Sequence, residues 1–268
     1  MDFLSNIFQN ITPGKSKNIH LKEAGTLPNF ISNDDKYKIS SLTLSGEING
    51  TDLRLLRDMA GYNYLGVHTN GTLHELDMTD VRIVKGGDSY VQMHVSSYYV
   101  EADDELPERI FRKCYALKKV KLPKSIKVIQ PHAFERCKNL RTIEIPEGVE
   151  RLGARSFRLC ESLKSIKFPS TLKDIEGEAF EDIYGLSKII SLAKEPPKLS
   201  FDTFFNDDYD NIKLSVPQGS SQKYKRGHYW AKFKKMQEAW CSTTTYLTTI
   251  TYLIEWSGFG IVQIRFFL

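Results

Sequence analysis

The chain has 268 residues, 41% of them hydrophobic, 26% charged and 12% aromatic, with a formal net charge of +4. This is the composition of a folded chain, and it excludes low-complexity or wholly disordered sequence. The excess of base is mild, with a sequence pI near 8.7, which is not the profile of a dedicated nucleic-acid binder.

Residues 1–26 are polar and read as a poorly ordered leader. Asp2 stands where a signal peptide needs a basic residue, and the apolar runs that follow are too short for export. Residues 27–31 suggest a short helix, and 39–44 alternate as a strand. Residues 47–50 read as a turn. Thr51 or Asp52 then caps a helix carrying Leu53, Leu55, Leu56 and Met59, which Gly61 ends. Leu73, Leu76 and Met78 have the spacing of a degenerate first rung. Gly86-Gly87 marks a turn, 91–100 a linker or hairpin, and 101–105 an acidic loop. Residues 27–105 together read as an N-terminal cap.

The next stretch, 106–192, governs the reading. Phe111, Phe134, Phe157 and Phe180 recur every 23 residues. Cys114, Cys137 and Cys160 follow the first three at a fixed offset, and Leu117, Leu140, Leu163 and Leu186 follow all four. Val120, Ile143, Ile166 and Ile189 complete the register, with Pro123, Pro146 and Pro169 closing the first three copies. A unit this short cannot bury its own apolar face and must stack on its copies as a solenoid. Each copy holds one short alternating strand, such as Val120–Lys121–Leu122, ended by a proline that cannot donate to a ladder. The phenylalanines and the small cysteines read as core, the cysteines as reduced thiols. The close cysteine pairs of structural zinc sites are missing.

The pattern FxxCxxLxxIxLPxxIxxIxxxAF resembles the BspA-like leucine-rich repeat family, over about 90 residues in its most specific part and more loosely over 27–238. The resemblance implies an α/β solenoid of 23-residue leucine-rich repeats, with a parallel sheet on one face and a cap at each end. It further implies a surface or secreted bacterial product. Since no signal peptide is visible, either an export signal is missing from the sequence or the protein stays in the cytoplasm.

Residues 193–238 read as a closing repeat and cap. Ile212 and Leu214 lie 23 residues past Ile189 and Ser191, and Tyr224, Trp230, Phe233 and Met236 have the spacing of a closing helix or turn. Residues 239–268 form an atypical apolar tail. Its longest uncharged run is shorter than the ~20 residues of a spanning helix, so no firm membrane span is expected.

No catalytic, metal or cofactor motif is found: the six histidines are scattered, and no nucleophile elbow or phosphate loop is present. Surface recognition is what remains. The outward strand positions Lys119, Lys121, Thr142, Glu144, Ser165, Lys167 and Lys188 form one ribbon, the candidate binding face. Residues 106–192 hold 18 Lys and Arg against 11 Asp and Glu, a net of +7. An acidic protein or a glycan is the expected partner. Nucleic acid is not, because the ribbon lacks aromatic stacking groups. The reading is of a non-enzymatic binding and adhesion module. A structural fragment of a larger repeat protein, or the targeting arm of an enzyme, are the alternatives.

Overall fold

The computed structural model describes residues 14–200, 202–204 and 209–239. The chain winds as a parallel β solenoid. The elements are β1 Lys15–Leu21, β2 Ile39–Ile48, α1 Gly50–Met59, β3 Glu75–Ile83, β4 Gly86–Met93, β5 Ser96–Val100 and β6 Glu105–Leu106. The repeats follow as β7 Lys119–Lys121, β8 Val128–Ile129, β9 Thr142–Glu144, β10 Arg151–Leu152, β11 Ser165–Phe168, β12 Asp174–Ile175, β13 Lys188–Ser191 and β14 Lys198–Leu199. The chain then forms β15 Lys213–Pro217, α2 Ser221–Arg226 and β16 Lys235–Ala239.

Among the described residues nine strands make the main face, in the order β1-β2-β3-β7-β9 and then β11-β13-β15-β16, all parallel. The ladder is interrupted between β9 and β11. The short strands β14-β12-β10-β8-β6 form a second parallel sheet. β4 and β5 pair antiparallel as a hairpin.

The core follows the repeat. Phe111, Phe134, Phe157, Phe180 and Phe204 stack in one column with centroid separations of 5.4, 5.5, 5.4 and 5.2 Å. Each coil binds the next through the backbone beside its ring. The Phe111 N–H donates to the Ala133 carbonyl at 2.8 Å, that of Phe134 to Ser156 at 2.8 Å, and that of Phe157 to Ala179 at 2.9 Å. Left-handed residues flank the rings in every copy: Arg109 and Lys113, His132 and Arg136, Arg155 and Leu159, Glu178 and Asp182. Side-chain-bearing residues rarely adopt this conformation, and here each coil repeats it twice.

At the start of the ladder no preceding phenylalanine coil supplies those N–H donors. Side chains of the cap do so instead. The Tyr90 hydroxyl donates to the Glu108 carbonyl at 2.8 Å. The buried Arg57 guanidinium donates to the Arg109 carbonyl at 2.8 Å, to that of Ile110 at 2.5 Å and to that of Arg112 at 3.5 Å. The carbonyls of Glu108, Ile110 and Arg112, which a preceding coil would otherwise serve, are thereby satisfied; that of Arg109 also accepts the Arg112 N–H at 3.1 Å.

Several sequence expectations are corrected. Residues 15–21, read within a poorly ordered leader, form β1, parallel to β2, with Leu21 buried. Of the apparent turn at 47–50, Glu47 and Ile48 end β2 and Gly50 begins α1, which Asn49, not Thr51 or Asp52, caps. The Asn49 side chain accepts from the Thr51 N–H at 3.0 Å, and Asp52 accepts from the Asn49 N–H at 2.9 Å, a capping box. The strand through Leu76 is the third on the main face, not the first, and it pairs Leu76 with Val120.

At the other end, Ile189 pairs with Leu214, not Ile212: this coil is two residues longer than the 23-residue repeat, one of them before β14, where Ile175 pairs with Leu199, and one after it. The closing segment contains α2 and a 3-10 turn at Trp230–Lys232, but Met236 belongs to a further strand, β16, opposite Leu214. The tail beyond Ala239 lies outside the described residues.

Candidate functional site

The solenoid carries its charge differently on its two sides. Beside the phenylalanine column the charges alternate in sign along the stack: Arg112, Glu135, Arg158, Glu181, one per 23 residues. Arg112 meets Glu135 at 2.6 Å, and Arg158 bonds Glu181 and approaches Glu135 at 3.7 Å. Arg155 adds a two-pronged pair with Glu178, both bonds at 2.7 Å. Burial alone would raise the Glu135 carboxyl; hydrogen bonds from His132 and Arg112 and the Arg112 charge bring it down to about 2. These charges are matched inside the structure.

The strand face is not matched in this way. Register sets two outward rows. One runs Glu75, Lys119, Thr142 and resumes as Ser165, Lys188, Lys213, Lys235; the other runs Asp77, Lys121, Glu144 and resumes as Lys167, Ile190, Ser215, Gln237, of which Ser215 is buried. Acidic residues occur only in the first half. There Lys121 lies 3.0 Å from Asp77, and this bond and charge raise the ammonium's pKa. From β11 to β16 the outward positions hold no carboxylate. Lys167, Lys188, Lys213 and Lys235 are exposed, and none makes an ion pair among the described residues.

The strongest element of this half is a column of three lysines. Lys188 stands opposite Lys213, and Lys213 opposite Lys235. Neighbouring strands lie about 4.8 Å apart, and like charges directly opposite destabilise a sheet. The described residues therefore hold a column of three like charges, with no carboxylate paired to it among them.

The seven predicted ribbon residues all lie on this sheet, on β7, β9, β11 and β13. They are not one uniform strip: Lys121 is held by Asp77 and neighbours Glu144, whereas Lys167 and Lys188 belong to the uncompensated half. Sequence reasoning missed Lys213 and Lys235, whose membership depends on the lengthened coil and on β16. Where the ladder is interrupted, a groove of about 610 Å³ opens between Lys121, Ile143, Glu144, Pro146, Lys167 and Pro169.

The described residues contain no group of three or more His, Cys, Asp or Glu placed to hold a metal ion. Cys114, Cys137 and Cys160 are free and buried. No helix among the described residues is long and apolar enough to cross a membrane.

Stacked coils, a phenylalanine column and one extended sheet face define a repeat protein of the leucine-rich solenoid class. Residues 104–216 match the BspA type leucine rich repeat region in six copies, and this segment is a repeat region of that family. Among solved structures, a leucine rich repeat protein of T. pallidum is 28% identical, with 47% of this chain and 55% of that one covered and a TM-score of 0.38. A leucine-rich repeat protein from Bacteroides ovatus ATCC 8483 is 19% identical, covering 68% and 52%, TM-score 0.32. The pneumococcal vaccine antigen PcpA is 14% identical, covering 84% and 58%, TM-score 0.33. The chain thus spans about half the length of these structures. No curated protein matches it.

Proposed function

We propose that the protein is a non-enzymatic recognition module whose strand face binds an acidic protein or glycan at the bacterial cell surface. The lysine column Lys188–Lys213–Lys235 carries this reading, because none of its three charges has an ion-pair partner among the described residues. Lys167 on β11 and Lys119 on β7 extend the cationic surface along the solenoid. Rows of flexible ammonium groups suit a polyanionic chain more than a shaped small ligand. The cell-surface location rests on the BspA-type repeat and is part of the proposal.

Retention on immobilised heparin and on immobilised polyglutamate tests the reading. Wild-type protein is expected to bind at least one of them and to elute with salt, as screening demands. A Lys188→Glu/Lys213→Glu/Lys235→Glu variant that folds and is retained equally well overturns the assignment. A scaffold role, in which the repeats only space other parts of a longer protein, is favoured if neither matrix retains the wild type.

A further inference from the structure

A cavity of about 480 Å³ lies between α1, the β4–β5 hairpin and the first phenylalanine turn, away from the strand face. Its wall contains Arg57, Arg109, Arg112 and Lys113 and no carboxylate. Two of these cations are compensated from outside the wall: Arg109 meets Glu108 at 3.0 Å, and Arg112 meets Glu135 at 2.6 Å. The other two have no ion-pair partner among the described residues. Lys113 Nζ bonds the Tyr62 hydroxyl, at 3.2 Å.

Arg57 is 1% exposed and, among the described residues, its guanidinium bonds carbonyl oxygens only. Nη1 serves two carbonyls, Nη2 makes one contact at 3.5 Å, and Nε has no partner. The Nε–Nη2 edge is the one a guanidinium uses to pair side-on with a carboxylate. A buried charge without an opposite charge is costly, and burial accordingly lowers the Arg57 pKa. The rest of the lining is mixed: Tyr62, Gln92 and His94 bring polar groups, and Leu65, Val91 and Met93 form an apolar wall, with Leu65 52% and Met93 41% exposed.

We propose that this cavity binds a small monocarboxylate with a short apolar chain. The carboxylate lies toward Arg57 and Lys113, and the chain lies against Leu65, Val91 and Met93. The volume is in the range of about 300–1,000 Å³ usual for small-molecule sites. Two uncompensated cations favour an anion, and the apolar wall favours one with a hydrocarbon body over an inorganic ion. The site is separate from the lysine column, and neither assignment depends on the other.

Isothermal titration of the full chain with hexanoate, hexanol and acetate tests this. Hexanoate is expected to saturate one site, with hexanol and acetate each weaker by about tenfold or more, the scale of one charge-assisted bond or a few buried methylenes. Arg57 also holds backbone carbonyls, so the diagnostic variants are at the rim. Lys113→Asn keeps a residue tolerant of the left-handed conformation at φ 62° and removes the cation. Met93→Glu places a like charge beside the chain. Each is expected to weaken hexanoate about tenfold or more while leaving the melting temperature of the ligand-free protein unchanged. Absence of saturable hexanoate binding, equal binding of hexanol, or hexanoate affinity unaltered in both variants overturns the proposal.

Discussion

The thiol of Cys137 donates to the carbonyl oxygen of Phe111, one coil earlier, at 3.0 Å, and Cys160 repeats this bond to Phe134 at 3.2 Å. The repeated cysteine is therefore a donor as well as a small core residue. Cys137→Ala is expected to cost about 1–3 kcal/mol, from the lost sulfur's packing volume and its weak hydrogen bond, while the Phe111 carbonyl keeps the Cys114 N–H at 2.9 Å. Cys137→Val keeps the packing and should cost less. Chemical denaturation of both variants checks the order.

The same burial controls reactivity. It pushes the Cys114 thiol up to about 11 and raises that of Cys137 well above its ordinary value. Little thiolate exists near neutral pH, so alkylation of the ladder cysteines should require unfolding. Residue-resolved mass spectrometry after iodoacetamide treatment at about pH 8 should find Cys114, Cys137 and Cys160 unmodified in the native protein. Rapid labelling of Cys137 without denaturant would contradict this packing.

Phe157 is fully buried between Phe134, at 5.5 Å, and Phe180, at 5.4 Å. Phe157→Ala is expected to destabilise by about 3–5 kcal/mol. Because each coil leans on its neighbours, protection from hydrogen exchange should also fall at Phe134 and Phe180. A loss below about 1 kcal/mol would show that the column is not the core.

Glu135 gives the fold an acid limit. Its folded-state pKa of about 2 lies below the ordinary 4.5. Its stabilising contribution is complete above about pH 4.5 and is lost as the pH falls towards 2. The contribution is on the order of 3 kcal/mol. Glu135→Gln should lower stability at neutral pH and flatten the decline between these limits. An unchanged acid limb in the variant would assign that limb to other carboxylates.

The solenoid was legible in the sequence because each copy repeats the same buried chemistry at the same offset. Phe111 to Phe180 and Val120 to Ile189 mark the register directly, and the structure keeps it. The entry to the solenoid was not legible. Arg57 and Tyr90 lie outside the repeat, and their task depends on carbonyls of residues 108–112 that no local pattern marks as unpaired. β1 was hidden because most of its outward residues are polar and only Ile19 and Leu21 are buried. The candidate site was half legible. Lys167 and Lys188 fell on the repeat grid, whereas Lys213 was displaced by a coil two residues longer than the 23-residue unit. Charge pairing across coils, such as Asp77 with Lys121, depends on strand order rather than on spacing.

The column Lys188–Lys213–Lys235 yields the most direct test, because stability and binding should move in opposite directions. Neutralising it with Lys188→Gln/Lys213→Gln/Lys235→Gln should raise stability slightly, by about 0.2–1 kcal/mol for each like-charge contact relieved. The measurement is the affinity of fluorescent heparin and polyglutamate for this variant, for wild type, and for a control that neutralises Lys127, Lys138 and Lys173 off the strand face. The account predicts that the column variant melts no lower than wild type and loses polyanion binding, while the control retains it. Equal loss in both variants would mean that net charge, not the strand face, governs binding; undiminished binding by the column variant would remove the lysine column from the site.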